Sequence, residues 1–266
     1  MEMTMLLAVD CGNTQTTVGL INTDGSVVRQ WRMATDTSDT RDALHARLHT
    51  YFSMLDLDLH QITAAAISSV VPLLSIEWHD LMRDLLGEEP LMINSSLPCT
   101  PPIALQNPAE LGADRLANAM GAKDRYGSPV IVVDFGTATN IDVVDAQGRF
   151  AGGAIMPGLM LSAQALFTRA AKLSSVSLIA PPHALGNSTE TAVQSGLIIG
   201  TAAMVEGLVT RIKAELAEKT SEAANAPVIA TGGCAQTIAE STTLFDAVDS
   251  DLTLHGIYCI WRALQA

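Results

Sequence analysis

The sequence predicts an α/β protein of two lobes, each running β-β-β-α-β-α over a mixed sheet. Three observations carry that expectation: an internal duplication, an alternation of strand-like and helix-like segments, and an aliphatic composition. The duplication weighs most. Leu6-Leu7-Ala8-Val9-Asp10 and Val130-Ile131-Val132-Val133-Asp134 are short apolar runs that each end in a carboxylate. The first continues as Asp10-Cys11-Gly12-Asn13-Thr14, the second as Asp134-Phe135-Gly136-Thr137-Ala138-Thr139. In both halves a second strand-like stretch then leads to a turn holding an Asp and a Gly, which marks two copies of one structural unit. Of the 266 residues, 48% are hydrophobic and only 4% aromatic. Such aliphatic cores suit sheets covered by helices on both faces. The length leaves room for two lobes, expected at residues 1–127 and 128–266.

The elements follow in order. After Leu6–Asp10, Thr16–Asn22 alternates in β-rich residues, Thr23-Asp24-Gly25 supplies turn chemistry, and Val27–Met33 completes a meander. Thr40–Met54 places Ala43, Leu44, Leu48 and Phe52 at helical spacing. Ile62–Val71 reads as a buried strand stopped by Pro72, and Leu74–Leu86 as a helix ended by Gly87. A short strand, Leu91–Ile93, enters a proline-rich connection from Pro98 to Pro108, and a helix at Ala113–Tyr126 ends at Gly127. The second copy repeats the meander: Val130–Asp134, a strand through Val144, the turn Asp145-Ala146-Gln147-Gly148, and Phe150–Ile155. Helices are expected at Ser162–Lys172 and Thr189–Leu216, with an exposed tail to Asn225. A strand at Pro227–Thr231 runs into Gly232-Gly233, and a final helix covers Gly256–Leu264.

The formal net charge of −13, with 15 Lys plus Arg, excludes nucleic acid and anionic membrane as partners by long-range repulsion. An anionic ligand would have to be held locally, by backbone amides, a divalent metal or a placed arginine. Cys11, Cys99, Cys234 and Cys259 are far apart, with no C-x-x-C pair and no histidine at metal-ligand spacing, and read as reduced thiols. The six histidines form no evident constellation. Met1–Leu7 is too short and wrongly charged for a signal sequence. No apolar run reaches the roughly 18–20 residues of a membrane span. A soluble cytoplasmic protein is expected.

A strand ending in D-x-G-[NT] sets a carboxylate at a sheet edge, followed by a turn whose glycine lets backbone amides approach a ligand. Consecutive amides there form an anion-binding concavity. Asn13, Thr14, Thr137 and Thr139 can add side-chain donors. Asp10 suits Mg²⁺, held through water, rather than phosphate itself. Two such hairpins would clamp a phosphate chain, and Thr231-Gly232-Gly233 suits approach to an adenosine group. The other common nucleotide signatures, G-x-x-x-x-G-K-[ST] and G-x-G-x-x-G, are absent.

Along nearly its whole length the chain resembles the type III pantothenate kinases, which have actin-like (ribonuclease H-like) lobes. The resemblance rests on the two Asp-Gly motifs, Gly112-Ala113-Asp114-Arg115, Gly152-Gly153-Ala154-Ile155-Met156-Pro157-Gly158, Gln194-Ser195-Gly196, Thr231-Gly232-Gly233, and Val248-Asp249 with Leu252-Thr253-Leu254 and Gly256.

That resemblance implies ATP-dependent phosphorylation of pantothenate. Asp114 would be the base, with Gly112 beside it, and Arg115 would pair with the substrate carboxylate. Asp10, Gly12, Asn13 and Thr14 would serve one phosphate site, with Asp10 on the Mg²⁺ side; Gly136 and Thr137 would serve another. Asp134 would help bind K⁺ or NH₄⁺, Gly232 and Gly233 would lie against adenosine, and Thr189 would reach pantothenate from the partner subunit of a homodimer. Plainer roles stay open beside these. Asp114 in a first helical turn also meets the helix dipole. Ser188 or Thr189 followed by Glu190 also reads as a helix cap. Gly152–Gly158 reads equally as a pocket wall or as a turn leaving the third strand. Leu105, Asn140 and Ser174-Ser175 depart from the family pattern. A non-catalytic relative that kept the fold, or a kinase for another small molecule, is the competing reading.

Overall fold

The computed structural model describes residues 5–98, 101–169 and 176–265. Cys99, Ser174-Ser175 and the expected helix end at Lys172 lie outside the described residues, as do the first four positions. The chain divides into two compact units, Met1–Asp124 with Asp251–Ala266, and Arg125–Ser250.

In the first unit β1 (Met5–Cys11), β2 (Gln15–Asn22) and β3 (Val27–Ala34) form the antiparallel meander. Gly25, at φ +85°, makes the β2–β3 turn, and Asp24 Oδ1 accepts from Ser26 N at 2.9 Å. Helix α1 (Arg41–Ser53) is capped by Thr40, whose hydroxyl accepts from Ala43 N. β4 (Ile62–Ser69) then runs parallel to β1. Helix α2 (Pro72–Leu86) starts on a proline, which the first turn tolerates because its missing N–H would have no partner there. It ends at Gly87 in the left-handed conformation, φ +71°. A two-residue β5 (Leu91–Met92) pairs with β4, and α3 (Ala113–Tyr126) follows. The sheet order is β3-β2-β1-β4-β5.

The second unit repeats this. β6 (Val130–Phe135), β7 (Ala138–Val144) and β8 (Phe150–Pro157) are antiparallel; β9 (Val228–Thr231) is parallel to β6 and β10 (Ala247–Val248) to β9. The order β10-β9-β6-β7-β8 is the first sheet read from its other edge. Between β8 and β9 lie α4 (Leu159–Arg169) and a 29-residue helix, Thr189–Ala217. The latter is α5 (Thr189–Gln194), a π-turn at Ser195–Ile199, and α6 (Gly200–Ala217). Helices α7 (Ala235–Ala239) and α8 (Leu252–Ala263) complete the chain. The expected two-lobed α/β class with mixed sheets is observed, each copy carrying one further short edge strand. α7 and β10 are too short for periodicity to reveal.

Two expectations need correction. The last helix starts at Leu252, not Gly256, and it packs in the first unit rather than in a 128–266 lobe. Both follow from the sheet: β1 is apolar on both faces. Leu7, Val9 and Cys11 join the core with Leu44, Leu48, Phe52 and Trp78 of α1 and α2. The opposite face needs another cover, and α8 supplies it. A Cβ on Gly19 would come within 2.7 Å of Leu254 Cδ1, and Tyr258 Oη donates to Thr23 O at 2.7 Å. Gly256 is interior to the helix because a Cβ there would strike the Ala117 carbonyl of α3. Thr253 Oγ1 donates to Asn118 Oδ1 at 2.7 Å in the same contact. The helix Thr189–Ala217 meets the length and composition of a bilayer-crossing helix, a test that the core helix of a globular unit also passes. One side of it, including Val193, Leu197, Ile198, Ala202, Val205 and Val209, packs in the core of the second unit.

Candidate active site

Within the first unit, Asp10 stands at the end of β1 opposite Ser68 of β4, and Ser68 Oγ donates to Asp10 Oδ1 at 3.1 Å. The loop that follows is Gly12, Asn13 and Thr14, closed by Gly12 N donating to Gln15 O at 3.1 Å. Asn13 and Thr14 are exposed. Thr35, immediately after β3, braces this loop twice: its N–H donates to Thr14 O at 3.0 Å and its hydroxyl to Gly12 O at 2.7 Å. Sequence reading missed Ser68 and Thr35. Only the strand register brings them to the hairpin.

Gly112, Asp114 and Arg115 lie in the same unit, at the head of α3. Val70 links them to the hairpin: its N–H donates to Cys11 O at 3.1 Å, and its Cγ1 would lie 3.6 Å from a Cβ on Gly112. That added Cβ would also come within 2.6 Å of Asp114 Oδ1, so glycine at 112 makes room for the carboxylate. Burial raises the Asp114 carboxyl above its ordinary value, against the lowering effects of the Arg115 N–H, which donates to Oδ1 at 2.8 Å, and the Arg115 charge. The side chain is only partly buried, and a carboxyl raised by burial at a helix head is a candidate functional group beside its helix-dipole role.

In the second unit Asp134 ends β6 opposite Asn140 and Thr231. Its Oδ1 lies in a notch between two glycines, 3.7 Å from where a Cβ on Gly136 would sit and in collision with one on Gly232. Gly232 has φ +92°, so glycine is required both by conformation and by space. The Gly136-Thr137 turn is closed by Gly136 N donating to Ala138 O at 3.0 Å, and both residues are exposed. Gly233 has open space around it. Asp134, Gly136, Thr137, Gly232 and Gly233 are thus brought together. Thr139, expected among the donors, is fully buried on β7 and its hydroxyl has no hydrogen-bond partner.

Gly152–Gly158 is mostly strand rather than a turn: β8 runs to Pro157. Gly158 then presses on the β6–β7 hairpin, its N–H donating to Thr137 O at 3.1 Å, where a Cβ would strike the carbonyls of Gly136 and Thr137. Ser188, not Thr189, caps the long helix, its hydroxyl accepting from Thr191 N at 3.1 Å. Thr189 is left to line a separate cavity of ≈ 530 Å³ with Ser162, Leu166, Val193 and Gly196.

The whole chain has close relatives. A sequence profile of the type III pantothenate kinases matches residues 6–211. Type III pantothenate kinases from Thermomicrobium roseum and from a Roseiflexus species are each 44% identical, covering 98% and 97% of this chain and 98% of each relative. That of Phenylobacterium zucineum is 42% identical over 98% of this chain and 99% of its own length. Among solved structures, a Baf family transcriptional activator from Campylobacter jejuni superposes with a TM-score of 0.62 at 17% identity, covering 97% of this chain and 98% of that one. The activator of 2-hydroxyisocaproyl-CoA dehydratase from Clostridium difficile does so with 0.52 at 14%, covering 98% and 96%. At such identities these two speak for the fold alone.

Proposed function

The chain belongs to the type III pantothenate kinase family, and we propose that it transfers the γ-phosphoryl group of ATP to pantothenate, giving 4′-phosphopantothenate in the first step of coenzyme A biosynthesis. The reading rests on one observation above the others: Asp114, packed at the head of α3 with Gly112 clearing its space. Asp114 takes the proton of the pantothenate hydroxyl as that oxygen attacks the γ-phosphorus and ADP leaves. Phosphoryl transfer asks mainly for alignment and charge neutralisation, so a carboxylate suffices as base. Arg115 offers its planar guanidinium to the pantothenate carboxylate. It is the local cation that a chain of net charge −13 needs for an anionic substrate.

Gly12, Asn13 and Thr14 in one unit, and Gly136 and Thr137 in the other, take phosphate oxygens; Gly232 and Gly233 take the adenosine side. Asp10, a partly exposed carboxylate anchored by Ser68, fits Mg²⁺ held through water. Asp134, in its glycine notch, fits a monovalent cation, K⁺ or NH₄⁺. When bound, the divalent ion supplies neutralisation of phosphate charge. The working unit is a homodimer in which Thr189 reaches the pantothenate of the partner subunit. In support, the outer face of Thr189–Ala217 presents the small exposed residues Ala192, Gly196, Gly200, Ala203 and Gly207, and α4 exposes Met160 and Leu161. The enzyme is placed in the cytoplasm, with no nucleic-acid or membrane partner.

The test is ADP release from Mg-ATP with and without pantothenate, in K⁺ and in Na⁺ buffers. Pantothenate-dependent turnover that needs K⁺ supports the whole reading, and turnover in both buffers removes the cation at Asp134. A folded protein that binds nucleotide without turnover favours an accessory role. Arg115→Ala should raise the pantothenate KM about 10- to 100-fold, from the ~1.5–3 kcal/mol of a charge-assisted hydrogen bond. An equal rise in the ATP KM would count against carboxylate pairing.

A further inference from the structure

We propose that Asp124, His255 and Cys259 form a binding site for a divalent transition-metal ion of the zinc type, distinct from the Mg²⁺ that accompanies ATP. The reading of the sequence found no histidine at ligand spacing, yet His255 and Cys259 lie four residues apart on α8 and share one helix face. Asp124 reaches them from the last turn of α3, 131 positions away in sequence and within the same unit. His255 Nε2 is 2.8 Å from Asp124 Oδ2 and 3.4 Å from Cys259 Sγ, and the three ligand atoms lie within 4.8 Å of one another. Tetrahedral zinc, with bonds of roughly 2.0–2.3 Å, separates such atoms by about 3.3–3.6 Å. The sulfur is already at that spacing. The carboxylate must withdraw by about half an ångström on the same scale, which a side-chain rotation provides.

Two further features suit a ligand. Arg262 Nη2 donates to Asp124 Oδ1 at 3.0 Å, so an outer partner turns the carboxylate with Oδ2 toward the histidine, as metal-bound carboxylates require. The cluster also borders a cavity of ≈ 460 Å³, lined by Asp124, Cys259, Arg262, Lys123 and Pro101, so a fourth position faces open space rather than packed side chains. His255 is only 9% exposed and its Nδ1 is buried without a hydrogen-bond partner; the ring packs near Tyr258 and its polar contacts run through Nε2, toward the site. A mixed N, O, S set selects among ions. Mg²⁺ and Ca²⁺ take oxygen and leave thiolate aside, whereas Zn²⁺, Co²⁺ and Ni²⁺ accept all three. Binding there would release the Cys259 thiol proton and set the dication against two negative ligands, Asp124 and the thiolate. Bound there, the ion joins α8 to α3, the helix whose opposite end carries Asp114.

The test uses the full-length protein, stripped of metal and titrated with Co²⁺ in excess Mg²⁺. One equivalent should bind, with a near-ultraviolet thiolate-to-cobalt charge-transfer band and the visible bands of four-coordinate cobalt, both discharged by Zn²⁺. Cys259→Ala should abolish the charge-transfer band while leaving pantothenate turnover in place, and Cys234→Ala should leave the band intact. Asp124→Asn should weaken Co²⁺ binding by about 10- to 100-fold. No band from the wild-type protein at stoichiometric Co²⁺, or a band that survives Cys259→Ala, overturns the site; because the first readout is on wild-type protein, a folding defect in a variant does not blur it.

Discussion

The two Asp-Gly hairpins are one backbone design finished with different side chains. The β1–β2 loop has three residues, Gly12 to Thr14, and the β6–β7 loop two, Gly136 and Thr137. In both, the residue just after the third strand donates its N–H to the last loop carbonyl: Thr35 to Thr14 O at 3.0 Å, and Gly158 to Thr137 O at 3.1 Å. In both, the first strand's last carbonyl accepts from the chain leaving the fourth strand, Val70 N to Cys11 O at 3.1 Å and Cys234 N to Phe135 O at 3.2 Å. The side chains then diverge. The first unit braces its loop with the Thr35 hydroxyl and holds its carboxylate, Asp10, with the Ser68 hydroxyl. The second uses Gly158 and Gly232, which let backbone and carboxylate come closer than any Cβ allows. Duplication therefore preserved the hydrogen-bond frame. Each copy then tuned how its carboxylate and amides are presented, by added donors in one and by removed bulk in the other.

The two sequence copies also differ at the helix after the fifth strand: α3 carries Asp114 in its first turn, whereas α8, which packs in the first unit, opens behind Asp251. Asp114→Asn should lower kcat by about 10²- to 10⁴-fold; a near-normal rate would remove the base. Burial raises this carboxyl in the folded state, so the stability it contributes is present below its unfolded value and lost as pH rises through the raised one. The variant should therefore melt no lower than wild type at pH 7. Wild-type kcat/KM should fall on acidification at a pH above the ordinary aspartate value of about 3.9. Melting curves and a pH profile read both.

Next in size are the glycines of the second hairpin. Gly232→Ala must hold φ +92° and push against Asp134, and should cost about 1–3 kcal/mol, as strained backbone does, with weaker ATP binding and weaker activation by K⁺. Gly158→Ala drives a methyl group into the Gly136 and Thr137 carbonyls and should cost a similar ~1–3 kcal/mol of overpacking, with a raised ATP KM. Thr35→Ala should be mildest. It removes a hydroxyl but keeps the backbone bond to Thr14, for a loss of about 1 kcal/mol. If denaturant melts show Thr35→Ala costing as much as Gly158→Ala, the contrast between added donors and removed bulk fails.

The sequence by itself determined the fold class, the duplication, the meanders and most helices, because these rest on local signals: apolar period, Asp-Gly turns, Pro72 at a helix start, Gly87 at a helix end. It also singled out both hairpins, because a carboxylate and a glycine at a strand end stand out in one dimension, whereas Asp114 was marked by the resemblance of Gly112-Ala113-Asp114-Arg115 to a family motif. Tertiary structure alone decided where α8 packs, since β1 needs cover on its second face and nothing in Leu252–Ala263 announces which sheet it will meet. It alone brought Ser68 and Thr35 to the first hairpin, set Gly158 against the second, and drew Asp124 to His255 and Cys259. Those neighbours come from strand register and helix packing between distant segments, and a contact across 131 positions leaves no local pattern to read.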